Sequence, residues 1–178
     1  MNERSRRVNV QWTFKRMNRK ADEMLKIHPN REVILPLLNH LIMEESKIVT
    51  VSIDIDANPS KIWYVITDKN YAKELGKEFD KNAFVESDWK LGSKVHFKYE
   101  PNKIVSTGTI GKLVENELIQ IDYDFSGFKY MEKYSIQKEK SICKLSIYAG
   151  PYTSDFEAQI VVWKNWLSKV KELSEKYS

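Results

Sequence analysis

The sequence predicts an α+β protein in which a curved antiparallel sheet wraps around a long C-terminal helix, with a helical extension at the N-terminus. From residue 48 onward, apolar and polar residues alternate over several short segments, which is typical of half-buried strands. Each strand then has a single apolar face, so the sheet needs a cover on one side only. The C-terminal segment repeats apolar residues every three or four positions and predicts one amphipathic helix that supplies this cover.

The composition points to a folded protein of one main domain. The 178 residues are 42% hydrophobic and 30% charged, which fits neither a disordered chain nor a membrane protein. The single cysteine, Cys143, allows no internal disulfide and fits a reducing compartment. The longest nearly apolar run, residues 33–43, is too short to span a bilayer. We therefore expect a cytoplasmic protein without a signal peptide or a transmembrane segment.

Charge divides the chain into a basic extension, residues 1–47, and a body, residues 48–178. The extension holds 10 Lys and Arg against 6 Asp and Glu, whereas the body holds 19 of each. All six arginines lie in the extension. The excess positive charge belongs either to a solvated N-terminal segment or to an arm that contacts an anionic surface. No nucleic-acid-binding motif accompanies it, so nucleic acid is not an expected partner.

Two apolar patterns predict helices in the extension. The first helix is indicated by apolar residues at helical spacing: Phe14, Met17, Ala21 and Met24. The second carries an apolar stripe through Val33, Leu37 and Leu41. Left exposed, this stripe would favour association. We therefore expect it to pack on the body or to form a homodimer.

The body begins with a strand and two short helices. Val49, Val51, Ile53 and Ile55 alternate with polar residues and predict the strand. Asn58 and Pro59 are suited to the cap and first position of a helix. Residues 71–79 predict a second short helix, after which strands follow up to residue 149.

The predicted terminal helix begins after Ser154 and Asp155, which are suited to cap it. Its inward residues step by four and three positions: Phe156, Ile160, Trp163, Leu167 and Val170.

Four motifs in the body, taken in order, resemble those of a known superfamily. They are Pro59-x-x-Ile62-Trp63-x-x-Ile66-Thr67-Asp68, Trp89-Lys90-Leu91-Gly92, Gly108-Thr109-Ile110-Gly111, and the helix with Trp163, Trp166 and Leu167. Together they resemble the START/SRPBCC superfamily, the birch-pollen-allergen-like helix-grip fold, over residues 48–178. The nearest branch is the one named for the activator of the 90-kDa heat-shock-protein ATPase. An uncharacterised Firmicute-type family on the same fold is the alternative.

The sequence departs from that superfamily in three respects. The usual double glycine reads Gly92-Ser93, no tryptophan lies between Asp68 and Phe84, and the N-terminal extension is not part of the common domain. The resemblance implies the helix-grip fold and an apolar cavity, but no substrate.

The alternation of the strands predicts which residues face that cavity. The expected ligand-binding residues are Phe97, Tyr99, Ile121, Tyr123, Glu132, Tyr134, Phe156, Ile160 and Trp163. Glu132 is the one acid with this inward parity, whereas the pairs Asp54/Asp56 and Asp122/Asp124 fall on the outer face. An inward carboxyl needs a raised pKa or a hydrogen-bond donor, unless it lies at a strand end and reaches solvent. Cys143, also inward, is expected to be an inert buried thiol.

Three functions follow as hypotheses. The first is a binding module that holds a small apolar or amphipathic ligand between sheet and helix. We expect a neutral ligand, since the body has no arginine and its lysines, Lys94 and Lys98 among them, fall mostly outward. The exception would be an extension that folds over the cavity and lends Arg16 or Arg19. The second is a protein-interaction or chaperone-cofactor-like domain that uses the extension. The third is a cyclase, hydratase or hydrolase with Glu132 and a tyrosine as the acid–base pair. No catalytic motif, metal site or cofactor site is predicted, so binding is favoured over catalysis.

Overall fold

The structure, a computed structural model, describes residues 47–125 and 127–176 and confirms the predicted α+β fold. Its strands are β1 (Lys47–Ile55), β2 (Ala83–Ser87), β3 (Lys94–Tyr99), β4 (Lys103–Val114), β5 (Leu118–Phe125), β6 (Phe128–Glu139) and β7 (Ile142–Tyr152). Its helices are α1 (Pro59–Thr67), α2 (Lys69–Gly76) and α3 (Phe156–Glu175). The predicted extension helices, with Val33, Leu37 and Leu41, lie outside the described residues.

The seven strands form one antiparallel sheet in the order β1-β7-β6-β5-β4-β3-β2. Because each strand pairs with its neighbour in sequence, apart from β1 on β7, short turns connect most of the sheet. The helix α3 contacts β1 and β7, and α1 and α2 contact its other side. A curved sheet that holds one long helix is the helix-grip architecture.

The core lies between the sheet and α3, as the apolar alternation predicts. Leu145 and Ile147 of β7 are fully buried, and Trp163, Leu167 and Val170 of the helix are at most 1% exposed. Cys143 is buried in the same core. The acid pairs of the outer face, Asp54/Asp56 and Asp122/Asp124, are exposed. The period-two and helical patterns therefore identify the inner faces correctly.

The helix starts differ from the expected caps. Asn58 and Asp155 occupy the N-cap positions of α1 and α3, but neither side chain makes a capping hydrogen bond. Asp155 has a φ of 55°, in the left-handed region, where its side chain does not reach the helix amides. Asp68 does cap α2, since its carboxylate accepts a hydrogen bond from the Asn70 amide at 2.8 Å.

The second short helix ends earlier than expected because it packs closely against an unpredicted strand. Gly76 ends α2, where a Cβ atom would lie 2.1 Å from the carbonyl oxygen of Ala83. Only a glycine allows this approach of the helix to the start of β2. The strand β2 has no clear alternation in the sequence, which is why the pattern missed it.

The expectation that Lys98 is exposed is wrong. Its side chain is 7% exposed, and its Nζ atom lies 2.6 Å from Oε1 of Glu86. In the β2–β3 pair, Glu86 lies opposite His96, so it is the diagonal neighbour of Lys98 on the same face. This ion pair explains how a lysine of outward parity is held against the protein.

Among the residues that the structure describes, none of the helices combines the length and the apolar character that crossing a bilayer requires.

Removing a large side chain between α3 and the sheet should destabilise the protein. We expect Leu167→Ala to lower the free energy of unfolding by about 2–5 kcal/mol, because it leaves a cavity in the core. Val161→Ala on the same helix is the control, since Val161 is 56% exposed. It should change the free energy by less than about 0.5 kcal/mol. Urea unfolding of the full chain measures both, and equal losses would contradict the packing described above.

Candidate functional site

A cavity of about 270 Å³ lies between the sheet, the helix α2 and the middle of α3. Its inner wall is formed by β3, β5, β6 and β7 and by the tryptophans of α3, and its outer end by α2 and β2. Trp163 and Trp166 of α3 face this space, since they lie three positions apart on the same side of the helix. The cavity therefore occupies the place between sheet and helix that the sequence predicts.

The wall of the cavity is largely aromatic. Eleven aromatic side chains line it: Phe79, Phe84, Trp89, Phe97, Tyr123, Phe125, Tyr130, Tyr134, Tyr152, Trp163 and Trp166. Several pack edge to face, such as Phe79 against Trp163, with ring centroids 5.0 Å apart. Gly108 leaves the room that two of the lining residues occupy, since a Cβ atom there would lie 2.5 Å from Ile121 and 2.8 Å from Tyr123.

A single carboxylate, Glu132, lies at the inner end of this aromatic wall. Its position follows from alternation along β6, which puts Tyr130, Glu132 and Tyr134 on one face. The hydroxyl of Tyr134 donates a hydrogen bond to Oε2 of Glu132 at 2.8 Å. The hydroxyl of Tyr123, on the neighbouring strand β5, reaches the same oxygen at a longer 3.4 Å. Glu132 thus accepts hydrogen bonds from two strands.

A second set of hydrogen bonds joins this site to the helix. The indole Nε1 of Trp163 donates to the hydroxyl of Tyr152 at 2.9 Å. The Tyr152 and Tyr130 hydroxyls lie 2.6 Å apart, and Tyr130 is a hydrogen-bond partner of Glu132. Since the Trp163 N–H can only donate, the consistent arrangement has Tyr152 donating to Tyr130 and Tyr130 donating to Glu132.

Burial raises the pKa of Glu132 from 4.5 to about 7, although the hydrogen bonds from Tyr134, Tyr130 and Tyr123 act in the opposite direction. Burial also raises the pKa of Tyr123, Tyr130 and Tyr134, and the nearby Glu132 adds to the shift. The tyrosines therefore remain neutral donors, whereas Glu132 can hold or release a proton near neutral pH.

The outer end of the cavity is polar. Lys69 and Lys73 of α2 and Glu86 of β2 line it and are exposed. Lys73 forms an ion pair with Glu100, and Glu86 with Lys98. The charged groups of this outer end are thus separated from Glu132 by the aromatic wall.

Six of the nine predicted binding residues line this cavity: Phe97, Ile121, Tyr123, Glu132, Tyr134 and Trp163. Tyr99 lies at the end of β3, with its ring 5.9 Å from that of Phe97, and Phe156 and Ile160 lie on the first turns of α3. The Nζ atom of Lys47, the first residue of β1, lies 5.2 Å from the centroid of the Phe156 ring, so Phe156 lies beside β1. These three residues do not line the cavity in the structure.

The sequence analysis missed two tyrosines of the network. Tyr130 has the same inward parity as Glu132, so the alternation of β6 could have identified it. Tyr152 has the opposite parity to Ala149, and only a bulge brings it inward. Lys47 pairs with Tyr152 and Val49 with Ala149, so a step of two residues along β1 matches a step of three along β7, where Gly150 has a φ of 146°.

Solved structures confirm the fold. The chain resembles the Aha1 dimer from Colwellia psychrerythraea, with 17% identity, a TM-score of 0.58, and coverage of 72% of this chain and 96% of that one. It also resembles protein MLL2253 from Mesorhizobium loti, with 12% identity, a TM-score of 0.60, and coverage of 74% and 99%. Protein SA2116 of unknown function from Staphylococcus aureus gives 15% identity, a TM-score of 0.58, and coverage of 75% and 97%.

These similarities show the fold and no more. No protein-family model matches the chain, and no curated protein matches it. The neighbours share the helix-grip architecture, which agrees with the fold that the sequence motifs predict.

Stability should depend on pH through Glu132. The unfolded glutamate releases its proton near pH 4.5 and the folded one near pH 7, so the folded state binds more protons in between. The free energy of unfolding therefore falls as pH rises through this window, by about 2–3 kcal/mol from this group, allowing for the part of the side chain that faces the cavity. We expect Glu132→Gln to lack this loss. The free energy of unfolding of the variant should therefore rise relative to that of the wild type between pH 5 and pH 8.

Urea unfolding at four pH values in this range measures the difference. Glu139→Gln, at the exposed end of the same strand, is the matched control and should follow the wild type at every pH. A constant difference between wild type and Glu132→Gln would show that Glu132 does not titrate there.

Proposed function

We propose that the protein is a small-molecule-binding module that holds a neutral apolar or amphipathic ligand between the sheet and the C-terminal helix. The observation that carries this proposal is the aromatic cavity, whose few polar groups converge on Glu132 at its inner end. Ligand pockets generally combine an apolar wall with a few such groups. We also propose a cytoplasmic location and, as ligand contacts, the six residues predicted from the sequence that line the cavity.

The size of the cavity limits the ligand. Its 270 Å³ lies just below the range of roughly 300–1,000 Å³ that is usual for ligand pockets. A small, flat molecule therefore fits better than a long lipid chain.

The charges around the cavity favour a ligand without negative charge. Among its described lining residues the only cations are Lys69 and Lys73, both exposed at the outer end. An anion at the inner end would lose its hydration next to Glu132 and would have no cation to pair with. A neutral molecule would lose little hydration free energy and could hydrogen-bond to the tyrosines or to Glu132.

A pair of similar molecules tests this. We expect 2-naphthalenemethanol to raise the Tm of the full chain and 2-naphthoate, which differs by its charge, to leave it unchanged. A ligand at ten times its Kd adds about 1.4 kcal/mol to the stability, which raises the Tm by about 3–6 °C for a chain of this size. Equal or stronger stabilisation by the naphthoate would refute the argument from charge.

Variants of two glycines in β4 test whether the ligand binds in this cavity. Gly108→Ala should weaken the binding, because the new Cβ atom would displace Ile121 and Tyr123 into the cavity. Gly111→Ala is the control, since its Cβ atom meets only the exposed side chain of Asp122. If both variants bound the alcohol as the wild type does, the ligand would lie elsewhere.

A second function, as a protein-interaction module, rests on two observations. The extension carries the apolar stripe of Val33, Leu37 and Leu41, and one solved structure of the same fold is described as an Aha1 dimer. On this proposal the chain is nearest to the branch of the heat-shock-protein ATPase activator and forms a homodimer through the stripe.

Native mass spectrometry of the full chain tests the dimer. We expect a dimer for the wild type and a monomer for Leu37→Asp, because a buried charge would oppose the apolar contact. Val161→Asp, an exposed position of α3, is the control and should remain dimeric. A monomeric wild type at micromolar concentration would exclude this function, and a ligand carried from the host would appear in the same spectrum.

The enzyme hypothesis keeps one observation in its favour. The Tyr134 hydroxyl and the Glu132 carboxylate lie within hydrogen-bond distance, as an acid–base pair would require. Since no other group of the described cavity wall suggests a reaction, we propose binding as the primary function.

A further inference from the structure

The Glu132 carboxylate retains room for one more hydrogen-bond donor. A carboxylate offers about four acceptor positions, and the hydroxyls of Tyr134, Tyr130 and Tyr123 account for three of them. Glu132 also lines the cavity, so a ligand in this space has access to the carboxylate. The site is therefore arranged as an acceptor whose last partner is not supplied by the described protein.

The charge at this end of the cavity is also unbalanced. The three tyrosines are neutral donors, and the Trp163 N–H reaches only Tyr152. The lysines that line the cavity lie at its exposed outer end, and Lys73 already pairs with Glu100. An ionised Glu132 is thus a partly buried anion without a cation beside it among the described residues, which is a costly arrangement.

The rings beside Glu132 suit a cation or a polar N–H group. Tyr134, Trp163 and Trp166 form one cluster, with ring centroids 5.3–6.0 Å apart. All three line the cavity, and the faces of aromatic rings, tryptophan above all, attract cations. The carboxylate and this cluster together form a surface that is negative and apolar at once.

We propose that the ligand of this cavity carries a basic nitrogen, which binds to Glu132 at the inner end while the apolar part of the ligand lies against the aromatic wall. This inference rests on the proposed binding function and, within the exclusion of anions argued there, assigns the ligand a basic nitrogen in place of a neutral polar group. The complex contains one proton, which can lie on the ligand nitrogen or on Glu132. In the first case an ammonium binds to a carboxylate, and in the second a neutral amine binds to the protonated acid. The pair carries no net charge in either form, so the interior stays neutral overall.

The proton balance predicts how the affinity depends on pH. The complex holds one proton between Glu132, whose pKa is about 7, and an amine, whose own pKa is about 10. Affinity should be highest between these values and fall about tenfold for each pH unit below 7. The other titratable groups that face Glu132 are Tyr123, Tyr130, Tyr134 and Tyr152, all with a raised pKa. Asp68, Lys69, Lys73 and Glu86 lie at the outer end.

Three probes on one scaffold test the inference: 2-phenylethylamine, 2-phenylethanol and 3-phenylpropanoate. Isothermal titration of the full chain at pH 8 should give the amine at least tenfold higher affinity than the alcohol, and the acid the weakest binding. In Glu132→Gln the amine should bind no more tightly than the alcohol, because no carboxylate remains to share the proton. Glu139→Gln, exposed on the same strand, should keep the preference.

A pH series on the wild type gives a second measurement that needs no variant. Between pH 8 and pH 5.5 the affinity for the amine should fall about 30-fold, while that for the alcohol stays constant. Equal affinities for amine and alcohol, or a preference that survives in Glu132→Gln, would overturn the basic nitrogen and leave the binding function intact. If none of the three probes bound, the binding function and this inference would both fall.

Discussion

The burial of one carboxylate, Glu132, sets the conditions that the rest of the cavity meets. A carboxylate surrounded by protein needs hydrogen-bond donors, and here tyrosines on two strands provide them. The antiparallel pairing places Tyr123 directly opposite Tyr130, so the register of β5 on β6 brings the donors together. Because Tyr130 is hydrogen-bonded to Tyr152, and Tyr152 to Trp163 of α3, the same network also connects the helix to the sheet.

The cavity exists because a curved sheet of seven strands has more inner surface than one helix can cover. On the β1 side α3 packs directly on the sheet, and Val49, Leu167 and Val170 are nearly or fully buried there. On the β3 side large aromatic rings meet edge to face and leave space between them. Gly108 contributes to this space, since any side chain there would push Ile121 and Tyr123 inward. The sheet curvature thus gives stability at one end and room for a ligand at the other.

Most of the fold could be predicted from the sequence because its signals are local. Alternation in β1, β5 and β7 and the helical spacing in α3 identify the inner faces without any knowledge of contacts. The same alternation places Glu132 in the cavity. What it could not predict depends on pairing between distant segments: the bulge opposite β1 that turns Tyr152 inward, and the Glu86 ion pair that buries Lys98. Tyr99, Phe156 and Ile160 have the right parity but lie beyond the ends of the cavity, and parity carries no information on that position.

Glu132 also shows that folding and function make opposite demands on this site. A glutamine would fill the same volume and could accept the tyrosine hydrogen bonds through its amide oxygen, without a charge to desolvate. The raised pKa of Glu132 means that the ionised form is less stable in the folded protein than in water, so the glutamate lowers stability at and above neutral pH. A group that destabilises the fold while lining a cavity indicates a role in binding. A basic ligand would relieve that cost, because it supplies the charge and the hydrogen bond that the described part of the protein does not. The free energy lost in folding with this partly buried carboxylate is then recovered on binding, and this linkage favours such a ligand over a molecule of the same shape without a basic nitrogen.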